Sequence, residues 1–99
     1  KLNNTKIGNR MNRSEILQLA DHYVSQDRAT THGSAENNFT ELGKIWGCRL
    51  GVDLHPSQVA IMLLDLKTVR AWNNLANEDN WVDMAGYASC GGEIATKID

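Results

Sequence analysis

The feature that most constrains this chain is a six-residue apolar run, VAIMLL at 59–64, three residues beyond its single proline. Such a run fits either a buried strand or a helix that is apolar all round. Pro56 decides between them, because the first position of a helix tolerates a missing N–H, and Asp53 or His55 stands ready to cap. The three-four apolar spacing also continues to Val69 and Trp72, so a long helix is expected, with Val59, Met62, Leu63, Leu66 and Val69 as its core face. A helix apolar all round is central to its fold or shared with a second subunit. A chain of 99 residues buries only roughly 60–65 % of the surface its unfolded form exposes, which leaves apolar surface for a partner to cover. A homo-oligomer, dimer or higher, is therefore expected through this helix and the one that follows.

The rest of the sequence reads as helices joined by polar turns. No segment alternates apolar and polar residues between hairpin turns. The expected fold class is all-α, a small four-helix bundle-like domain over 11–99, completed by homo-oligomerisation. Residues 1–10 are polar and aperiodic, which suits a disordered tail or leader sequence. Asn12 and Glu15 form a capping pattern ahead of Ile16, Leu19, Ala20 and Tyr23, which predicts a first helix over 13–25. A polar loop with Gly33 follows over 26–35. Ser34 or Asn37 can cap a second helix with the stripe Phe39, Leu42, Ile45, Trp46 and Leu50, ending at a left-handed Gly51. Within it, Gly43 and Gly47 leave room for a close neighbour. After a turn at 73–80, Trp81, Met84, Ala85, Ala88 and Ile94 line a fourth helix, whose small residues at 85–92 suit a tight bundle or a dimer seam.

Composition excludes several classes. A net charge of -2 and a pI near 5.9 argue against nucleic acid as a partner, since phosphate neutralisation needs an excess of Lys and Arg. No run of about 18 apolar residues exists and no signal-peptide pattern is visible, so no membrane association and a cytoplasmic location are expected. Cys48 and Cys90 lack the spacing of a zinc site and read as reduced, packed thiols. With no GxSxG, P-loop or GxGxxG motif, acyl transfer and P-loop NTPase chemistry are disfavoured.

Four polar groups could carry chemistry, and each has a plainer reading. Asp27, Arg28, Thr30, Thr31, His32 and Gly33 form a chemically rich loop, though Asp27 and Arg28 also suit a solvated surface. Glu36, Asn37, Asn38 and Glu41 open the second helix, where acids complement the helix dipole. Lys67 and Arg70, three apart beyond Asp65, project from one helix face and can grip a phosphate or a carboxylate; a solvated face is the plainer account. Asp79 and Asp83 are four apart with Tyr87 one turn on, so their carboxylates can hold a divalent cation. Alternatively Asp79 caps the fourth helix and Asp83 pairs with Lys67 or Arg70.

The ordered series Asp27-Arg28, His32-Gly33, Asn38-Phe39, Trp46, Lys67, Arg70 and Asn80-x-x-Asp83-x-x-Gly86-Tyr87 resembles a DUF6378-like family of small phage and prophage proteins. His32 stands where that family often has tyrosine. By pattern the family is similar to phage nucleotide-modification-associated domains and, more distantly, to MazG-like all-α NTP pyrophosphohydrolases. In that superfamily an E-x-x-E and an E-x-x-D pair hold magnesium and nucleotide phosphates. Here Asp79 and Asp83 match the second pair with one residue too many between them, and Glu36 and Glu41, five apart, do not form the first.

The resemblance implies a phage accessory protein that binds a nucleotide or similar phosphorylated ligand through Asp27, Arg28, His32, Asn38, Lys67, Arg70, Asp83 and Tyr87. Magnesium would sit on Asp79, Asp83 and Glu41, Tyr87 or Trp46 would offer a ring to a base, and phosphoanhydride hydrolysis would extend the reading. The alternative is a non-enzymatic phage interaction protein acting on a host or defence protein.

Overall fold

The computed structural model describes residues 10–27 and 33–97, with Asp27 described by its backbone alone. Apart from Arg10, the expected tail at 1–10 lies outside the described residues. The chain forms α1 (Arg13–His22), a π-helical turn (Tyr23–Asp27), α2 (Ala35–Leu50), α3 (Pro56–Asn73) and α4 (Glu78–Thr96). No strand occurs among the described residues, and no helix there is long and apolar enough to cross a membrane.

Local chemistry sets the helix ends. The Asn12 side chain accepts the Glu15 N–H at 2.8 Å. In return the Glu15 carboxylate accepts the Asn12 N–H at 3.0 Å. Two donors that a helix start leaves without partners are thereby satisfied. Ser34 caps α2 by accepting the Asn37 N–H at 3.1 Å. At its other end Gly51 takes a left-handed φ of 71° and donates to the Gly47 carbonyl, the glycine ending that many helices use. His55 rather than Asp53 caps α3: its Nδ1 accepts the Ser57 N–H at 3.2 Å, and the Gln58 side chain accepts the His55 N–H at 2.8 Å. Asn77 rather than Asp79 caps α4, accepting the Asp79 N–H at 3.0 Å.

The first helix differs from the expected 13–25, because α-helical geometry stops at His22 and the chain continues as a π turn. Tyr23 itself keeps α-helical backbone angles and donates to the Leu19 carbonyl, so it stays on the stripe of Ala20 that the periodicity assigns it. α4 packs extensively along α3 and also against α1, while α2 packs on α3. The buried core is small: Phe39, Val59 and Ala60 form one cluster, bordered by Leu42, Trp46, Leu54, Leu63, Tyr87 and Ile94.

Which faces turn inward corrects the expected core. On α3, Val59, Ala60 and Ala71 are buried, whereas Leu66 is 44 % and Val69 60 % exposed. On α2, Ile45 and Leu50 are exposed while Gly43 and Gly47 are buried. On α4, Trp81 and Ala88 face out, and Asn80, Val82, Gly86 and Gly91 face in.

At Gly43, Gly47, Gly86 and Gly91 a small residue holds the contact because it permits closer approach. A Cβ added at Gly91 would lie 2.7 Å from the Ala60 Cβ, and one at Gly47 would lie 2.5 Å from the Val52 carbonyl oxygen. The small residues of α4 thus serve packing within the chain, Gly91 against Ala60 of α3 and Gly86 against Val24 of the π turn. The room at Gly43 and Gly47 is taken chiefly by the backbone of residues 52–54 rather than by a neighbouring helix.

Candidate functional site

α1 packs on α4 and α2 on α3, with little contact between α1 and α2, and a cleft of about 320 Å³ opens between them with α4 as its floor. This lies at the lower end of the range for small-molecule sites, roughly 300–1,000 Å³. The π turn contributes Tyr23 and Val24, the start of α2 contributes Asn38, Phe39 and Leu42, α3 contributes Leu63, and α4 contributes Val82, Asp83, Gly86, Tyr87 and Cys90. π turns inside helical segments recur at functional sites. This one sends Tyr23 and Val24 to the cleft wall. Gly86 makes that possible, since a Cβ there would lie 3.3 Å from the Val24 side chain.

The lining is aromatic and apolar with a few polar groups. Phe39 and Tyr87 form a tilted ring pair, centroids 6.2 Å apart at 53°. Ring quadrupoles favour such inclined arrangements over a face-to-face sandwich. Asp83 is the one charged residue among the described lining residues, and it is neutralised by Lys67 from α3 at 2.7 Å. Both side chains are largely shielded, 13 % exposed for Lys67 and 17 % for Asp83. The pair therefore sits where solvent screening is weak. Burial pushes the Cys90 thiol above its ordinary range; a hydrogen bond with Ser89 lowers it and the Glu93 carboxylate raises it further.

The structure brings some of the expected residues together and separates others. Asn38, Asp83 and Tyr87 line the cleft, and Lys67 reaches it through Asp83. Arg70 is exposed and absent from the lining, so Lys67 and Arg70 do not form a joint grip on one anion; Asp83 holds Lys67, as one of the plainer readings had it. Arg28 and His32 lie outside the described residues, as do Thr30 and Thr31, and the Asp27 side chain is not described.

Glu41 pairs with Lys44 at 3.3 Å on the exposed side of α2, and Asp79 is exposed in the first turn of α4. Among the described residues, no three histidine, cysteine, aspartate or glutamate side chains gather as a metal-ligating group. Trp46 packs against the core and does not line the cleft. Glu36 joins Lys97 at 2.7 Å, tying the start of α2 to the residue that follows α4. Sequence reasoning missed Tyr23, Val24, Leu63 and Cys90 as lining residues. Tyr23 stood on the apolar stripe of the first helix, and the pointer to Val24 was Gly86, a glycine inside a helix that needs a close neighbour to explain it.

The geometry can enclose a flat, largely uncharged group between aromatic walls, with a hydrogen-bond acceptor at Asp83 and an amide at Asn38. Comparison with known proteins places that cleft in a phage setting. The chain is 36 % identical over 74 residues to the Gene 55 protein of Mycobacterium phage L5, covering 74 % of this chain and 47 % of that protein. It is 27 % identical over 75 residues to the Gene 55 protein of Mycobacterium phage D29, covering 76 % of this chain and 50 % of that protein. The chain thus spans about half the length of the curated relatives it matches. No solved structure matches it. A family described as "Domain of unknown function (DUF6378)" matches residues 15–95, which include α2, α3, all of α4 but its last residue and every described residue that lines the cleft. The chain belongs to the DUF6378 family, whose similar proteins here come from phages.

Proposed function

We propose that this domain is a phage ligand-binding module whose cleft holds the base of a nucleotide, with the phosphates left at the mouth. The observation that carries the reading is the cleft's composition: Tyr23, Phe39 and Tyr87 supply rings, and its described wall holds a single charge, the neutralised Asp83. Rings stack on rings, and a carboxylate accepts hydrogen bonds from ring amines, whereas an anionic phosphate gains nothing from a wall whose charge is already cancelled. Lys67 then positions Asp83 rather than gripping phosphate. Magnesium would enter with the ligand's phosphates, the usual mode for this hard cation.

The reading commits to binding. Pyrophosphohydrolysis of the MazG-like kind uses several carboxylates around paired metal ions. Asp83 is the one carboxylate among the described lining residues. Calorimetric titration with nucleosides, nucleoside monophosphates and triphosphates, with and without magnesium, tests the proposal. Nucleosides should bind, phosphates should add less than about tenfold, and Asp83→Asn and Tyr87→Ala should each weaken binding by about tenfold, a loss of about 1.4 kcal/mol. Flat titrations with every nucleoside and nucleotide, on a chain whose helical circular dichroism is intact, would refute it.

A further inference from the structure

α3 has two faces, and the fold uses one. Ala60, Lys67 and Ala71 turn toward α4, the alanines buried and Lys67 on Asp83. Met62, Leu66, Val69 and Asn73 turn away, spaced four, three and four apart, the spacing of the a and d positions of a heptad. Leu66 is 44 % and Val69 60 % exposed, Asn73 is exposed and Met62 is half-buried, so the strip is open over its last three positions.

Charge marks its margins. Asp65 lies on one side and Arg70 on the other, five residues apart. Both are exposed, and neither has an ion pair or side-chain hydrogen bond among the described residues.

We infer that this strip is the seam for a second copy of the chain, α3 packed parallel to its symmetry mate about a two-fold axis running along the helices. With Leu66 and Asn73 at a and Met62 and Val69 at d, Asp65 occupies g and Arg70 the following e. In a parallel pair the g residue of one helix faces the e residue five positions on in the other, so the two-fold axis creates two Asp65–Arg70 contacts at once. An antiparallel pair would instead put the two Asp65 residues along one edge of the seam and the two Arg70 residues along the other, so like charges would share each edge. Asn73 adds a register device, since a polar Asn at an a position selects partners that align it with its own copy. The strip runs roughly 16 Å from Met62 to Asn73, by the helical rise per residue. This inference is independent of what the cleft binds.

Sedimentation equilibrium of the 99-residue chain across a concentration series tests it. The wild type should sediment as a dimer of 11.0 kDa subunits, and Leu66→Asp as a folded monomer by circular dichroism. Asp65→Arg and Arg70→Asp should each weaken dimerisation by about tenfold or more, because each turns two attractions into two repulsions. The double variant D65R/R70D should return to within about threefold of wild type, which a merely structural role for either residue would not produce. A wild type that stays monomeric at about 100 μM would overturn the inference and leave the strip to a foreign partner. Dimers that survive Leu66→Asp, or single charge reversals that the double variant fails to restore, would overturn it too.

Discussion

Two adjacent glycines of α4 should respond in opposite senses to the same substitution. Gly91 faces α3, and a Cβ built there lies 2.7 Å from the Ala60 Cβ, whereas a Cβ at Gly92 meets nothing within 4 Å. Carbon atoms settle at roughly 3.5–4.0 Å, so Gly91→Ala must move α3 and α4 apart by about 1 Å. Overpacking of that kind costs about 1–3 kcal/mol. Replacing a helical glycine by alanine also gains up to about 1 kcal/mol in helix propensity, a gain common to both sites. Gly92→Ala should therefore stabilise the chain by about 0.5–1 kcal/mol. Gly91→Ala should destabilise it by about 1 kcal/mol. The common propensity gain cancels in the difference, which leaves about 2 kcal/mol for the contact itself.

Urea unfolding followed by circular dichroism, at one protein concentration so that association does not shift the midpoints, measures that difference. With a urea slope of about 1–2 kcal/mol per molar for a chain of this size, the two midpoints should separate by about 1 M or more. Adding Ala60→Gly to Gly91→Ala removes the opposing Cβ and should recover most of the overpacking loss. A Gly91→Ala midpoint at or above that of Gly92→Ala would refute the claim that backbone proximity of α3 and α4 sets this packing.

Three further outcomes follow from named contacts. Asp83→Leu should cost about 2–3 kcal/mol, less than the roughly 3–5 kcal/mol for breaking a fully buried pair because both side chains keep some exposure, and the double variant K67M/D83L should recover most of it; single and double variants with equal losses in urea would contradict this. Iodoacetamide at neutral pH should label exposed Cys48 before Cys90, because the raised Cys90 pKa leaves less of the reactive thiolate, and the Cys90 rate should climb as pH rises. Mass spectrometry reads both rates, and equal labelling would count against a half-buried Cys90 with a raised pKa. Asn12→Ala should cost about 1 kcal/mol by opening the capping box, seen as faster hydrogen exchange at Glu15 and Ile16 with α4 unaffected.

What could be read from the sequence was set by neighbours in the chain. Asn12, Ser34, Gly51 and Pro56 mark helix ends through hydrogen bonds or φ values settled within four residues, and all four stand where the spacing put them. The inward faces were harder, because periodicity weights a side chain by its apolar size while two helices choose a face by how closely they can approach. Leu66 and Val69 outweigh Ala60 and Ala71 by hydrophobicity, yet the alanines are buried and the larger residues are not. The partner of Asp83 could be narrowed to Lys67 or Arg70, and only the rotation of α3 selects Lys67. Of the cleft, Asn38, Asp83 and Tyr87 were legible from the resemblance. Tyr23 was legible only as part of the first helix's apolar stripe, and Val24 was not legible, since a π turn differs from continued α-helix by one residue of hydrogen-bond register that no side-chain pattern announces.

One packing choice accounts for both features of interest. Because α3 and α4 meet through Ala60 and Gly91, their backbones lie too close for large side chains between them, and the larger apolar residues are displaced to the borders of the contact. Toward α1 and α2, those borders carry Leu63, Val82 and Tyr87 into a space the helices do not fill, which becomes the cleft. On the opposite side they leave Leu66 and Val69 facing outward, which becomes the strip along α3. The small buried core follows from the same geometry, since glycine and alanine bury little apolar area per residue and hydrophobic stabilisation scales with that area. A chain built this way has apolar surface left over, and a ligand between the aromatic walls and a second copy along α3 would each stabilise it by binding the folded state alone.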